Sequence, residues 1–194
     1  MRLLMVAPPG AGKGTQAKLL AAHYGIVHIS SGEVFRREVA AGTELGRTLA
    51  GDLARGDLVA DELVLEILKQ PIIEAAARGG YVLDGFPRTL RQAEEAYQVA
   101  RQIAGIELQA VVHLIVPRPE LLRRLRARGT AQGRGDDDEI VIAHRLDVYD
   151  SETEPMLEFY AGRGLVVDVD GFQPVEAVFE EIVKKVDALR EGLG

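Results

Sequence analysis

Ala7-Pro8-Pro9-Gly10-Ala11-Gly12-Lys13-Gly14-Thr15-Gln16 follows a short apolar run, Leu3 to Ala7, and leads into an alanine- and leucine-rich segment of helical period, Gly12 to Tyr24. A buried strand, a glycine-rich turn and a helix N-terminus, in that order, are what an anion site requires. Glycines let successive backbone N–H groups converge on phosphate oxygens, the helix dipole favours negative charge there, and a lysine at the helix start reaches the outer phosphates of a nucleotide. Gly12-Lys13 alone would be an ordinary turn; the full context points to phosphate. Against the general pattern G-x-x-x-x-G-K-[ST] the stretch departs at two places. Ala7 stands at the first glycine position, and Gly14 follows Lys13, so that the hydroxyl residue, Thr15, arrives one position late.

Outward from this loop, short apolar runs alternate with longer segments of helical period, the pattern of an α/β fold with a parallel sheet. The strand candidates are Leu3 to Ala7, Val27 to Ile29, Tyr81 to Leu83, Ala110 to Val116 and Leu165 to Val169. Helices are predicted at Gly12 to Tyr24, Asp61 to Ala77, Thr89 to Ile103, Glu120 to Arg128, Glu139 to Tyr160 and Pro174 to Leu189. Two segments break the rhythm: residues 30–60 insert helical pattern between the second and third strands, and Gly129 to Asp138 is a glycine-rich polar stretch. In a sheet whose ligands sit beyond the carboxyl ends of its strands, such segments can fold over the site as lids, or be plain surface loops.

Composition narrows the partners. The 194 residues suit one compact domain. A formal charge of −7 argues against nucleic acid and anionic membranes as partners, while leaving room for local arginine clusters that bind small anions. Of the 23 basic residues only Lys13, Lys18, Lys69, Lys184 and Lys185 are lysine, and the planar arginine fork suits bidentate phosphate contacts. Zero cysteines exclude disulfides and thiolate metal sites and suit a reducing compartment. No secretory leader is legible, and no apolar run approaches the ~20 residues of a membrane span, so a soluble cytoplasmic protein is expected.

The second informative stretch is Asp84-Gly85-Phe86-Pro87-Arg88-Thr89, after the third strand, with Gln92 one helical turn further. An acidic residue at a strand end beside a phosphate loop is placed to orient Mg²⁺, and Arg88 to clamp a phosphate. The string Gly10 to Gln16, with its late threonine, resembles the P-G-x-G-K-G-T-Q wording of nucleoside monophosphate kinases, and Asp84 to Thr89 resembles the D-G-F-P-R-T signature of adenylate kinases. The resemblance runs over nearly the whole chain. Ile29-Ser30-Ser31-Gly32-Glu33 looks like the start of the family's monophosphate-binding insertion, with Ser31 where threonine is common and Glu33 where aspartate is usual. Arg36 matches a phosphate-binding arginine, and Asp57-Leu58-Val59 matches G-x-L-V-P-D, although Ala60 replaces the proline. Gly133-Arg134-Gly135-Asp136-Asp137 resembles the lid's G-R-x-D-D, Arg145 its following arginine, and Asp168-Val169-Asp170-Gly171-Phe172-Gln173-Pro174 the D-G-x-x-P-V turn.

What the resemblance implies is a three-layer P-loop NTPase fold, a five-stranded parallel sheet flanked by helices. It implies a core of residues 1–29, 60–128 and 140–194, a monophosphate-binding insertion at 30–59, and a short lid at 129–139 without structural zinc. It implies reversible transfer of the terminal phosphoryl group of ATP to AMP, giving two ADP, with Mg²⁺ travelling with ATP, in a monomer serving adenine nucleotide homeostasis. ATP is then expected on Gly10, Ala11, Gly12, Lys13, Gly14 and Thr15, embraced by Arg124 and Arg128 and bordered by Gln173. AMP is expected on Ser31, Arg36, Asp57, Leu58, Val59, Gly85, Phe86, Pro87, Arg88 and Gln92, with Arg134 and Arg145 at the phosphates. Lys13, Arg88, Arg134, Arg145 and Asp84 form the expected catalytic set, Asp84 meeting the metal through water.

The Gln92 amide both donates and accepts, so it can read the amino group and adjacent ring nitrogen of adenine, and since the related pyrimidine monophosphate kinases usually carry asparagine in this region, the resemblance implies AMP. Taken alone it would be an exposed helix glutamine. Of the arginines after the fourth strand, Arg118, Arg123 and Arg126 read as a solvated face, and His23, His28, His113 and His144, without ligand spacing, as structural. Two other readings stay open on sequence: a UMP/CMP or other monophosphate kinase, and a P-loop regulatory module that binds nucleotide without transfer.

Overall fold

The computed structural model describes residues 1–132 and 139–192. Five strands, β1 (Arg2–Val6), β2 (Val27–Ser30), β3 (Tyr81–Asp84), β4 (Ala110–Ile115) and β5 (Val166–Asp170), form one sheet in the order β2-β3-β1-β4-β5, parallel throughout. Side chains alternate between its two faces. Leu3, Met5, Val82, Val112 and Leu114 pack against Ala17, Leu20, Leu121, Leu125, Ile182 and Val186 on one side. Leu4, Val6, Ile29, Leu83 and Val111 pack against Val64, Leu68, Ala93, Met156 and Tyr160 on the other. A sheet buried on both faces needs apolar residues at consecutive positions, which is why its central strands β1 and β3, and most of β4, read as apolar runs. The three-layer α/β architecture is as the sequence predicts.

The helices are α1 (Lys13–Tyr24), α2 (Ser31–Ala40), α3 (Glu44–Arg55), α4 (Asp61–Ala77), α5 (Leu90–Gln102), α6 (Arg118–Gln132), α7 (Glu139–Val148), α8 (Met156–Ala161) and α9 (Val175–Gly192). The helical pattern of residues 30–60 resolves into the α2–α3 hairpin. Ser30 Oγ accepts from the Glu33 N–H at 3.4 Å and Thr43 Oγ1 from the Gly46 N–H at 2.8 Å, so each helix starts on a hydroxyl cap.

One element differs from the sequence reading. Glu139 to Tyr160 is not a single helix: α7 ends at Val148, a π-helical turn occupies Tyr149–Thr153, and α8 starts at Met156. Pro155 has no N–H to offer the preceding turn and its ring crowds the carbonyl four residues back, so the helix is broken there. In addition, α6 extends to Gln132, four residues beyond its predicted end. No helix among the described residues is long and apolar enough to cross a membrane.

The strand order positions the site. Connections from β1 run to one side of the sheet and β4 joins from the other, so the order reverses at β1, where α/β sheets form a crevice at the strand ends. Met5 of β1 is in register with Asp84 of β3, and Ser30 of β2 with the same Asp84. The phosphate loop, the Asp84 turn and the start of α2 therefore leave the sheet side by side.

Candidate active site

Gly10 (φ 87°) and Gly12 (φ 93°) both take left-handed backbone, which glycine adopts without steric cost. A Cβ on Gly10 would stand 2.9 Å from Leu125 Cγ, so the loop lies against α6 too closely for a side chain. Ala7, at the absent glycine's place, is untroubled. Among the described residues none but glycine has a positive φ, and the Ala7 methyl is buried in the core with Met5 and Ala11.

The loop opens into a cavity of about 420 Å³. Six cationic side chains line it, Lys13, Lys18, Arg36, Arg88, Arg124 and Arg145, against two carboxylates, Asp84 and Glu33. A chain of net charge −7 has thus gathered local positive charge at the mouth of its sheet. Lys13 comes from the first residue of α1, Arg36 from α2, Arg88 from the turn after β3, Arg124 from α6 and Arg145 from α7. Five separate parts of the fold thus each contribute a cation, and α1 adds a second, Lys18.

Asp84 is the counter-charge at the centre. Its Oδ1 lies 3.4 Å from Lys13 Nζ and its Oδ2 3.6 Å from His28 Nε2, with the carboxylate 12% exposed. Burial pushes the carboxyl upward, but Lys13, His28 and Arg88 together outweigh it and bring the pKa down to about 2. Lys13 balances the other way: burial lowers its amine, and Arg88 and Arg145 add to that against the attraction of Asp84. The balance therefore favours the carboxylate and disfavours the ammonium. Arg88 is likewise lowered, by burial first and then by Arg145 and Arg36, yet a guanidinium stays protonated.

Around Arg88 the acceptor side is built from a single turn. Gly85 (φ 89°) passes so close that a Cβ would stand 2.5 Å from Ser31 Oγ and 2.9 Å from Arg88 Nη2. Its carbonyl accepts from Ser31 Oγ at 2.7 Å and from Arg88 Nε at 2.8 Å, and the Phe86–Pro87 peptide is cis. Gln92 is not exposed, as a lone helix glutamine would be; it is 2% exposed, with Oε1 accepting from the Arg88 backbone N–H at 2.7 Å. Beside it Phe35, Leu53, Leu58, Val59 and Val64 surround a hollow of about 20 Å³.

Asp57 closes the insertion against α7: it accepts from Arg55 Nε at 2.7 Å and lies 2.7 Å from His144 Nε2. Next to it, a Cβ on Gly56 would stand 2.6 Å from Arg145 Cγ, so the helix carrying Arg145 rests on the exit of the insertion. The π-helical turn holds the other end of α7, with Tyr149 Oη 3.2 Å from His113 Nε2 and His113 Nδ1 2.9 Å from Asp168 Oδ1. His23 packs edge-on against Tyr24 and Phe179.

On the donor side, Arg124 bonds Glu120 Oε1 at 2.6 Å and the carbonyls of Ala11 and Gly171 at 3.4 and 3.2 Å. It bridges the phosphate loop to the turn before α9. Gln173, in that turn, folds back on Asp170 O and Glu181 at 3.0 and 2.8 Å and does not line the phosphate cavity. Arg118, read as solvated, pairs with Asp147 and Asp150 at 2.6 and 2.8 Å and ties α6 to α7. Arg128 lies on α6, one turn beyond Arg124. Arg134, Asp136 and Asp137 fall outside the described residues.

Sequence reasoning missed two participants. His28 sits behind Asp84, its Nε2 buried without a hydrogen-bond partner among the described residues. The signal was a polar residue inside the apolar run Val27 to Ile29. Asp61 accepts from Gln92 Nε2 at 2.6 Å, and its signal was an acid at the first position of α4.

A family model described as adenylate kinase matches residues 5–165. The chain is 44% identical over 178 residues to an adenylate kinase of Thermobifida fusca, covering 92% of this chain and 94% of that one. It is 41% identical over 189 residues to one of Bacteroides fragilis, covering 97% and 100%, and 41% over 192 residues to one of Caulobacter vibrioides, covering 99% and 100%. With the phosphate loop, the Asp84 turn and the arginine cluster assembled on a parallel sheet, and relatives matching end to end, the chain belongs to the adenylate kinase family.

Proposed function

We propose that the chain transfers the terminal phosphoryl group of ATP to AMP, reversibly, with the loop after β1 holding ATP and the turn after β3 holding AMP. The observation that carries this reading is the single cavity in which Lys13 and Arg88 flank Asp84 under Arg36, Arg124 and Arg145. Bringing ATP and AMP together gathers about six negative charges, ~4 on one and ~2 on the other, and their repulsion is the first barrier. The five cations offset it, then stabilise charge spread over the transferring group.

Backbone N–H groups at Gly10 to Thr15 cradle the donor phosphates, with Lys13 on the outermost. Arg88 and Arg36 take the AMP phosphate, Arg145 spans donor and acceptor, and Arg124 with Arg128 flanks the donor nucleotide. Ser31, Asp57, Leu58 and Val59 border the acceptor nucleoside, and Gln92 reads its base. Arg134 completes the charge from the lid at 129–139, and the insertion at 30–59 closes over AMP. The AMP phosphate is already an anionic nucleophile at neutral pH, so no histidine or cysteine is needed as base or nucleophile.

Mg²⁺ fits the site. No three His, Asp or Glu side chains come together as a cage among the described residues, but the donor set is all hard oxygen: the Thr15 hydroxyl, Asp84 reaching through water, and the nucleotide phosphates themselves. The ion would be held there by these oxygens and would supply charge neutralisation at the phosphates. The proposed working unit is a cytoplasmic monomer, supported by one chain supplying every cation named. A coupled assay of ADP formation from ATP with AMP, UMP, CMP and GMP tests the reading. AMP should be preferred by orders of magnitude; an equal or greater rate with UMP or CMP overturns the acceptor assignment, and nucleotide binding without ADP overturns transfer.

A further inference from the structure

The Gln92 carboxamide is held at both ends. Oε1 accepts from the Arg88 backbone N–H at 2.7 Å, and Nε2 donates to Asp61 Oδ1 at 2.6 Å. A backbone N–H only donates and a carboxylate only accepts. Turning the amide over would set N–H against N–H and oxygen against oxygen, in a side chain only 2% exposed where water cannot substitute. The orientation of the amide is therefore fixed by its partners.

Each end of the amide keeps one free position, a lone pair on Oε1 and an N–H on Nε2. Offered to a nucleobase, that pair accepts from an exocyclic amino group and donates to an unprotonated ring nitrogen beside it. Adenine presents that edge. The amide turned over would instead donate to a carbonyl and accept from a ring N–H, the edge of hypoxanthine and guanine. One rotation thus exchanges preference for amino and keto purines.

We propose that Asp61 is a specificity-determining positioning residue: resting on the reading that Gln92 faces the acceptor base, Asp61 locks the Gln92 amide in the orientation that accepts adenine and rejects its 6-keto counterpart. Its own placement is secured. Asp61 opens α4, where the helix dipole favours a carboxylate, is 17% exposed, and has Arg91 Nε 3.6 Å from its second oxygen. The other anchor, the Arg88 N–H, belongs to the turn that clamps the phosphate, so base reading and phosphate clamping share one amide.

AMP and IMP have nearly the same shape and differ at the 6-substituent and the N1 proton, so their kcat/KM ratio reads the amide orientation. It is measured, with KM for ATP and melting temperature, in wild type, Asp61→Asn, Asp61→Ala and Gln92→Ala. An asparagine at 61 can turn its own amide to suit either orientation, leaving the Arg88 N–H as sole anchor. Losing one charge-assisted hydrogen bond should lower the AMP preference by about tenfold to hundredfold, with IMP turnover rising in absolute terms and KM for ATP unchanged. Asp61→Ala should move the ratio the same way. Parallel losses for AMP and IMP, or an unchanged ratio in both folded position-61 variants while Gln92→Ala collapses it, overturn the role of Asp61 and leave base reading by Gln92 standing. An unchanged ratio in Gln92→Ala overturns base reading itself, and this proposal with it.

Discussion

Replacing Asp84 by asparagine keeps the shape of the side chain and removes the one charge that faces Lys13 at 3.4 Å. The carboxyl titrates at about 2 in the folded chain against an ordinary 3.8. That lowering corresponds to a preference for the ionised form in the folded state on the order of 2 kcal/mol. The sign follows from the direction: a lowered folded pKa stabilises above the unfolded value, near pH 4, and that stability is lost as pH falls toward 2. Asp84→Asn should therefore unfold more easily by about 2–3 kcal/mol at pH 7. For a chain of this size that is a fall in melting temperature of roughly 5–10 °C. Urea unfolding of both proteins between pH 7 and pH 3 measures it. The difference should be full at pH 7 and at pH 5 and shrink below pH 4, as the carboxyl of the unfolded chain takes up its proton while the folded one stays ionised. Equal stability at pH 7, or a difference that persists undiminished to pH 3, refutes the charge balance described for the site.

Arg88→Lys loses the bond to the Gly85 carbonyl and the planar fork, and kcat should fall by about a hundredfold or more while the melting temperature moves by only a few degrees; equal activity in the folded variant removes Arg88 from the chemistry. Gly85→Ala places a methyl 2.5 Å from Ser31 Oγ on left-handed backbone, so KM for AMP should rise at least about tenfold with KM for ATP little changed, read by varying each substrate in turn. Ala7→Gly removes a buried methyl from unstrained backbone: calorimetry should find a loss of about 1 kcal/mol or a little more, and titration with ATP no gain in affinity.

The sheet was legible because burial on both faces forces consecutive apolar positions, and the phosphate loop because its glycines and lysine stand at fixed offsets. The cations were legible one by one, but their convergence was not, since Arg36, Arg88, Arg124 and Arg145 come from four elements that only the strand order brings together. The burial of Gln92 and the ion pairs of the exposed Arg118 were illegible for one reason: their partners lie 31 and 29 or more residues away, beyond any local pattern. The break after α7 was hidden by the helical period on either side of it. Pro155 was the only local sign, and Pro71 shows why such a sign is weak, as it sits inside α4 without ending the helix.

The central claim is direct transfer between two nucleotides held in one cavity. Incubating the protein with Mg²⁺, AMP and ATP labelled at the γ-phosphorus tests it, with the label followed by separating the products at early times. The account predicts label in the β-position of ADP made from AMP, two ADP formed for each AMP consumed, and little label as inorganic phosphate. Label released chiefly as inorganic phosphate, with AMP unconsumed, contradicts it.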